Sequence, residues 1–118
     1  MLKINDVELE FDLMDADMAE KFEKEIKDLQ AKEDTEKVKA KNYTMAESIR
    51  KQCNLVFDFF DALFGEGTAK KLFGDKTNYR SCMEALAQVM EYAAKQTTEL
   101  QKEMAKYSPN RATRRKTK

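Results

Sequence analysis

Few side chains in this chain of 118 residues are suited to chemistry, and histidine is absent. That removes the usual general base, the usual metal ligand and the familiar serine and cysteine triads. Two cysteines are present, Cys53 and Cys82, far apart and without metal-ligand spacing. They read as buried reduced thiols, which fits a reducing compartment. Asp58 and Asp61 stand at i, i+3, but they follow the polar stripe of a solvated helix. Gly65-Glu66-Gly67 is too short to cradle a phosphate and reads as helix punctuation. There is no P-loop and no GxGxxG. The expectation is a protein without catalytic residues, metal or cofactor.

The informative side chains are apolar. Phe57, Phe59, Phe60, Phe64 and Phe73 fall within seventeen residues, and Leu72 joins them. These six are the candidate partner-binding residues. Core filling suffices for Phe60. Phe57, Phe59 and Phe64 span a wide arc, which leaves two readings open: pure core, or core plus interface. Seven methionines add adaptable apolar surface. At the other extreme, Arg111, Arg114, Arg115, Lys116 and Lys118 form a basic tail able to touch phosphates. It has no interleaved aromatics and no recognition helix, so nucleic acid is not the expected partner. Docking on an acidic protein surface serves it equally well.

Composition frames these candidates. Charged residues make up 37% of the chain, apolar residues 42%, and the mean hydropathy is −0.77. That implies a water-soluble protein with enough apolar content to fold. With three Gly and one Pro, the chain has few places to turn, which favours long helices. Net charge is zero but unevenly spread: residues 1–30 hold ten acids and four bases, residues 111–118 five bases and no acid. Met1 to Leu13 carries Asp6, Glu8, Glu10 and Asp12 and does not read as a signal peptide. No apolar run approaches a membrane span.

The elements follow from periodicity. Leu2, Ile4, Val7, Leu9, Phe11 and Leu13 alternate with polar residues around Asn5-Asp6, predicting a hairpin of Leu2–Ile4 with Glu8–Asp12. Met14, Met18, Phe22, Ile26 and Leu29 lie on one helix face, capped by Asp15 or Asp17. Residues 30–41 are almost all charged and read as a linker in preference to an exposed helix. Thr44-Met45-Ala46-Glu47 fits a capping box, with Tyr43 placed for a staple contact. The helix it opens, 44–64, has an apolar arc of roughly 200°, wider than one core requires. Gly65 suits a left-handed cap, and Thr68 suits the cap of a short helix to Phe73. Asn78 caps a last helix running to about 107, roughly 45 Å long. That helix bends near Gln96-Thr97-Thr98, or its end projects. The predicted fold is mainly α: a short N-terminal β-hairpin packed on a three- to four-helix bundle. Residues 1–109 form one domain, and 110–118 a disordered basic tail.

The run Asn54-Leu55-Val56-Phe57-Asp58-Phe59-Phe60-Asp61-Ala62-Leu63-Phe64-Gly65-Glu66-Gly67-Thr68-Ala69, closing at Leu72-Phe73-Gly74, resembles the tail assembly chaperone group. These are small proteins from the tail-gene modules of phages and prophages of Gram-positive bacteria. The opening Ile4-Asn5-Asp6-Val7-Glu8-Leu9-Glu10-Phe11-Asp12 and the ending Asn110-Arg111-Ala112-Thr113-Arg114-Arg115 are also similar. The likeness covers most of the chain outside 30–41.

The resemblance implies a mostly helical, non-catalytic protein of the host cell cytoplasm. Such a protein coats the aggregation-prone tape measure protein, helps tail tube protein polymerise around it, and is absent from the finished tail. Many members are made in two lengths by ribosomal frameshifting, and this chain is similar to the shorter product. The implied partners are the tape measure protein, tail tube protein and further copies of the chain, with no membrane. Two other readings stand beside this one: a structural tail component, and a small helical regulator contacting nucleic acid through its basic tail.

Overall fold

The computed structural model describes residues 2–107. The basic tail, Arg111 to Lys118, lies outside them. The element order is β1 (Leu2–Ile4), β2 (Val7–Leu9), α1 (Ala16–Lys39), a 3₁₀ turn (Ala40–Asn42), α2 (Met45–Phe64), α3 (Thr68–Phe73) and α4 (Tyr79–Lys106). It is a mainly helical fold with an N-terminal hairpin, as the periodicity predicts.

The hairpin pairs Leu2 with Leu9, Lys3 with Glu8 and Ile4 with Val7. Asn5 and Asp6 both have positive φ, 49° and 67°. That is the pattern of a two-residue turn matched to strand twist, which these side chains tolerate. The second strand is therefore Val7–Leu9 rather than Glu8–Asp12: so tight a turn starts the ladder at Val7, and the chain leaves it after Leu9. Leu2, Ile4 and Leu9 are buried. The Asn5 side chain donates to the Leu72 carbonyl at 3.0 Å, tying the turn to α3.

Local capping starts each long helix. Asp15 accepts from the Met18 N–H, and Asn78 from the Ser81 N–H. Thr44 and Glu47 form the full capping box. Tyr43 makes a polar staple, its hydroxyl donating to Glu36 at 2.9 Å, with Lys51 Nζ 5.8 Å from its ring. The Glu36 carboxylate pushes that hydroxyl above its ordinary pKa.

Residues 30–39 are helix, not linker. Their lack of an apolar stripe is no obstacle. The first half of α1 is packed through Phe22, Ile26 and Leu29, so propagation needs no new nucleus. Gln, Ala, Lys and Glu propagate well, and Glu33 and Lys37 stand in the favourable i, i+4 order.

At the other end of α2, Gly65 stops the helix with φ 113° and ψ 151°, so it is not the left-handed cap. That conformation belongs to Gly67, φ 92° and ψ −7°. Thr68 lies inside α3 and its hydroxyl donates back to the Gly65 carbonyl. The free N–H of Ala69 is instead met by Asp61 at 2.8 Å. Asp61 thus serves α3, while Asp58 is exposed.

Each of α1, α3 and α4 packs on α2. α4 lies on it through Cys53 and Cys82, both fully buried. Burial, with a hydrogen bond to the Cys53 thiol, raises the Cys82 thiol from 9.0 to about 12. The folded chain therefore keeps a proton that the unfolded chain loses. This stabilisation is complete below pH 9.0 and is lost as pH rises towards 12. Two results are expected: both thiols stay unmodified by a thiol reagent until the protein unfolds, and the denaturant midpoint falls across that alkaline window. Rapid alkylation of the native protein would contradict the burial.

α4 is one continuous helix, with Thr97 and Thr98 hydroxyls bonding back to Ala93 and Ala94 carbonyls. Of the two alternatives for its length, the projecting end holds. From Thr97 to Tyr107 every residue is exposed except the half-buried Leu100. The molecule is accordingly elongated, 62 × 33 × 21 Å.

Candidate functional site

The six candidate residues divide. Phe59, Phe60, Leu72 and Phe73 are buried, Phe60 at 0% and Phe59 at 2% exposure. They are core and offer no surface to a partner, which corrects the reading of all six as a binding face. Phe57 is half-buried, its ring 5.3 Å from that of Phe73. The wide arc of α2 is thus filled mostly from within the chain: Phe59 faces α1, Cys53 faces α4, and Phe60 meets Phe73 of α3 at 5.8 Å.

Phe64 is different. One side of its ring stacks on Phe60 at 5.8 Å and meets Phe11 at 5.6 Å. It is half-buried and lines an open cleft of about 370 Å³ where β2, α1, the end of α2 and α3 come together. Val7, Met18 and Leu63 give this cleft its apolar lining, and the exposed Glu8, Glu10, Lys21 and Lys71 stand at its edge. The arrangement suits an apolar side chain or helix ridge, with charges of both signs to orient it. Sequence reasoning missed Val7 and Met18 as cleft residues. Their apolar character signalled burial, and only the tertiary fold leaves them half-covered.

Other exposed apolar groups lie elsewhere. Met104 and Tyr107, 56% and 71% exposed, mark the end of α4. Tyr79 and Ile49 border a second open depression at the start of that helix, with Thr77, Asn78 and Arg80. Among the described residues no group of three or more His, Cys, Asp or Glu converges in a way that could hold a metal. Among the same residues no helix is long and apolar enough to cross a membrane.

Comparison with known proteins gives a family but no activity. No curated protein and no solved structure matches the chain. A family model matches residues 5–118, from the hairpin turn through β2 and all four helices to the basic tail, and the chain belongs to that family, a family of unknown function (DUF6673).

Proposed function

We propose that this protein is a non-catalytic tail assembly chaperone of the host cell cytoplasm. In this reading it holds an apolar helical stretch of a tape measure protein in the Phe64 cleft while tail tube protein polymerises around the complex. The observation that carries a binding role is the partly exposed Phe64 ring in a cleft of mixed lining, with Val7, Met18 and Leu63 beside it and Glu8, Glu10, Lys21 and Lys71 at the edge. The choice of partner is supported by the resemblance of residues 54–74 and of both chain ends to that group.

The energetics suit a transient coat. Burying about 500 Å² of apolar surface per copy, at about 25 cal/mol per Å², contributes roughly 12 kcal/mol gross. Loss of translational freedom and side-chain ordering offset much of that, leaving modest affinity per copy. Many copies along one long helix then supply avidity, and each can still leave.

The test is co-expression with the tape measure protein of the same gene module. The wild-type chain should keep that protein soluble and co-purify with it. Met18→Glu and Phe64→Ala should each reduce recovery of the complex by at least about tenfold, a loss of ~1.4 kcal/mol or more. Circular dichroism of each variant should show the helical fold retained. Undiminished co-purification by the folded variants would overturn the assignment of the cleft. Finding the protein in finished particles would overturn the chaperone reading.

A further inference from the structure

The outer edge of β2 is a row of main-chain groups with no partner among the described residues. The register pairs Leu2 with Leu9 and Ile4 with Val7. A two-residue turn makes Ile4 and Val7 a hydrogen-bonded pair, and bonded pairs then recur at every second residue. Val7 and Leu9 therefore turn their N–H and C=O groups towards β1. The Phe11 C=O and the Leu13 N–H go the same way, to Gln96 of α4. By alternation Glu8 and Glu10 turn theirs outward, and through these groups neither is bonded to another described residue. This edge forms one wall of the Phe64 cleft. An open edge of this kind takes an extended segment as a further strand.

The side chains along the edge define that segment. Glu8, Glu10 and Asp12 are exposed and recur at period two, between the buried Leu9, Phe11 and Leu13. Charges directly opposite across a ladder stabilise it when unlike in sign and destabilise it when alike. The β2 of a second copy would set Glu8 and Glu10 against the same two acids, so it does not fit. Arg114, Lys116 and Lys118 have the matching period and the opposite sign.

We propose that the occupant of this edge is the basic tail of the same chain, antiparallel to β2, with Lys116 opposite Glu10 and Lys118 opposite Glu8. The course of the chain supports it. Asn5 and Ser81 line one depression, Phe11 lies 6.0 Å from Tyr92, and Leu13 meets Gln96. β2 and α4 thus run in the same direction, and a segment turning back after α4 runs antiparallel to β2. The reach is sufficient. Tyr107 stands about 16 Å beyond Gln96 at 1.5 Å per residue. Adding the step from Phe11 back to Glu10 and the distance across to the edge, the return covers about 23 Å. Residues 108–116 extend to about 30 Å. On its tether the tail arrives at high local concentration, so a short ladder suffices where separate molecules need a large interface.

The far wall of the cleft agrees. Lys21 and Lys71 stand there on α1 and α3 and repel the tail towards β2. Arg115 falls on the cleft side, opposite Phe11, whose ring is 5.6 Å from that of Phe64; a guanidinium stacks well on such rings. The docked tail competes with any partner for the cleft, a consequence that rests on the chaperone reading. The docking itself does not, because it is read on the isolated chain.

Hydrogen exchange of the full chain provides that reading. The Glu8 and Glu10 amides should exchange at least about tenfold faster in Lys116→Glu with Lys118→Glu than in the wild type. The Val7 and Leu9 amides, bonded to β1, should be unchanged. A chain carrying Glu10→Cys with Lys116→Cys should close a disulfide within one copy in oxidised glutathione, since residues opposed in a bonded pair lie about 5.5 Å apart. Cys53 and Cys82 are buried and should not exchange into it. Free exchange of the Glu8 and Glu10 amides in the wild type, protection that survives the charge reversal, or a disulfide joining two copies would each overturn the proposal.

Discussion

Phe60→Ala is expected to lower the unfolding free energy by about 3–5 kcal/mol, the cost of a large-to-small change in a core that cannot collapse around the gap. Phe60 has no exposed surface. Its ring meets Phe59 at 5.7 Å, Phe64 at 5.8 Å and Phe73 at 5.8 Å. Those partners belong to α2 and α3, and Phe64 passes the contact on to Phe11 beyond the hairpin. A void here would therefore loosen several elements together. A domain of this length has roughly 6–18 kcal/mol of total stability, so the loss takes a large share of it. Phe57→Ala, at a half-buried ring touching Phe73, should cost about half as much. Urea denaturation of the two variants measures the difference. Equal costs would mean that Phe57 belongs to the core as fully as Phe60.

The contrast between these two phenylalanines shows where sequence stops informing. A helical wheel gives the width of the apolar arc on α2. It does not give the number of neighbours the chain will bring to that arc. Three helices and Phe11 pack around it here, so a width that suggested an outside partner is mostly consumed internally. Phe64 keeps one side open only because α2 ends there and the hairpin does not close the gap.

Local signals were legible for a physical reason. Asp15, Thr44 and Asn78 cap helices by reaching N–H groups three residues on. Asn5-Asp6 forms its turn through its own backbone preferences. Nothing distant is needed for any of these. Residues 30–39 read as linker on apolar period alone, whereas a propagating helix needs only good formers and no breaker. Asp61 and Gln96 were unreadable in their actual roles. Each serves backbone groups that the fold, not the sequence, brings near: Ala69 for one, Phe11 and Leu13 for the other.

Gln96→Ala is expected to detach the hairpin. The Gln96 amide donates to the Phe11 carbonyl at 2.7 Å and accepts from the Leu13 N–H at 2.8 Å. It thus acts as the ladder partner of a segment that has left its own ladder after Leu9. Both backbone groups are part-buried, and leaving each without a partner costs about 1–3 kcal/mol. A two-stranded hairpin has little stability of its own. Loss of this clamp should therefore free β1 and β2 before the helices unfold. Hydrogen exchange should show protection falling at the β1 and β2 amides while the α2 amides remain protected. Gln96→Glu separates the two bonds. The ionised carboxylate still accepts from Leu13 but faces the Phe11 carbonyl with no proton to donate, and protonation restores the donor. The introduced carboxyl should thus titrate above its unfolded value, so the variant regains stability as pH falls through the folded pKa, whereas the alanine variant does not. Hairpin amides equally protected in wild type and Gln96→Ala would show that β1 is held by its apolar contacts with α4 alone.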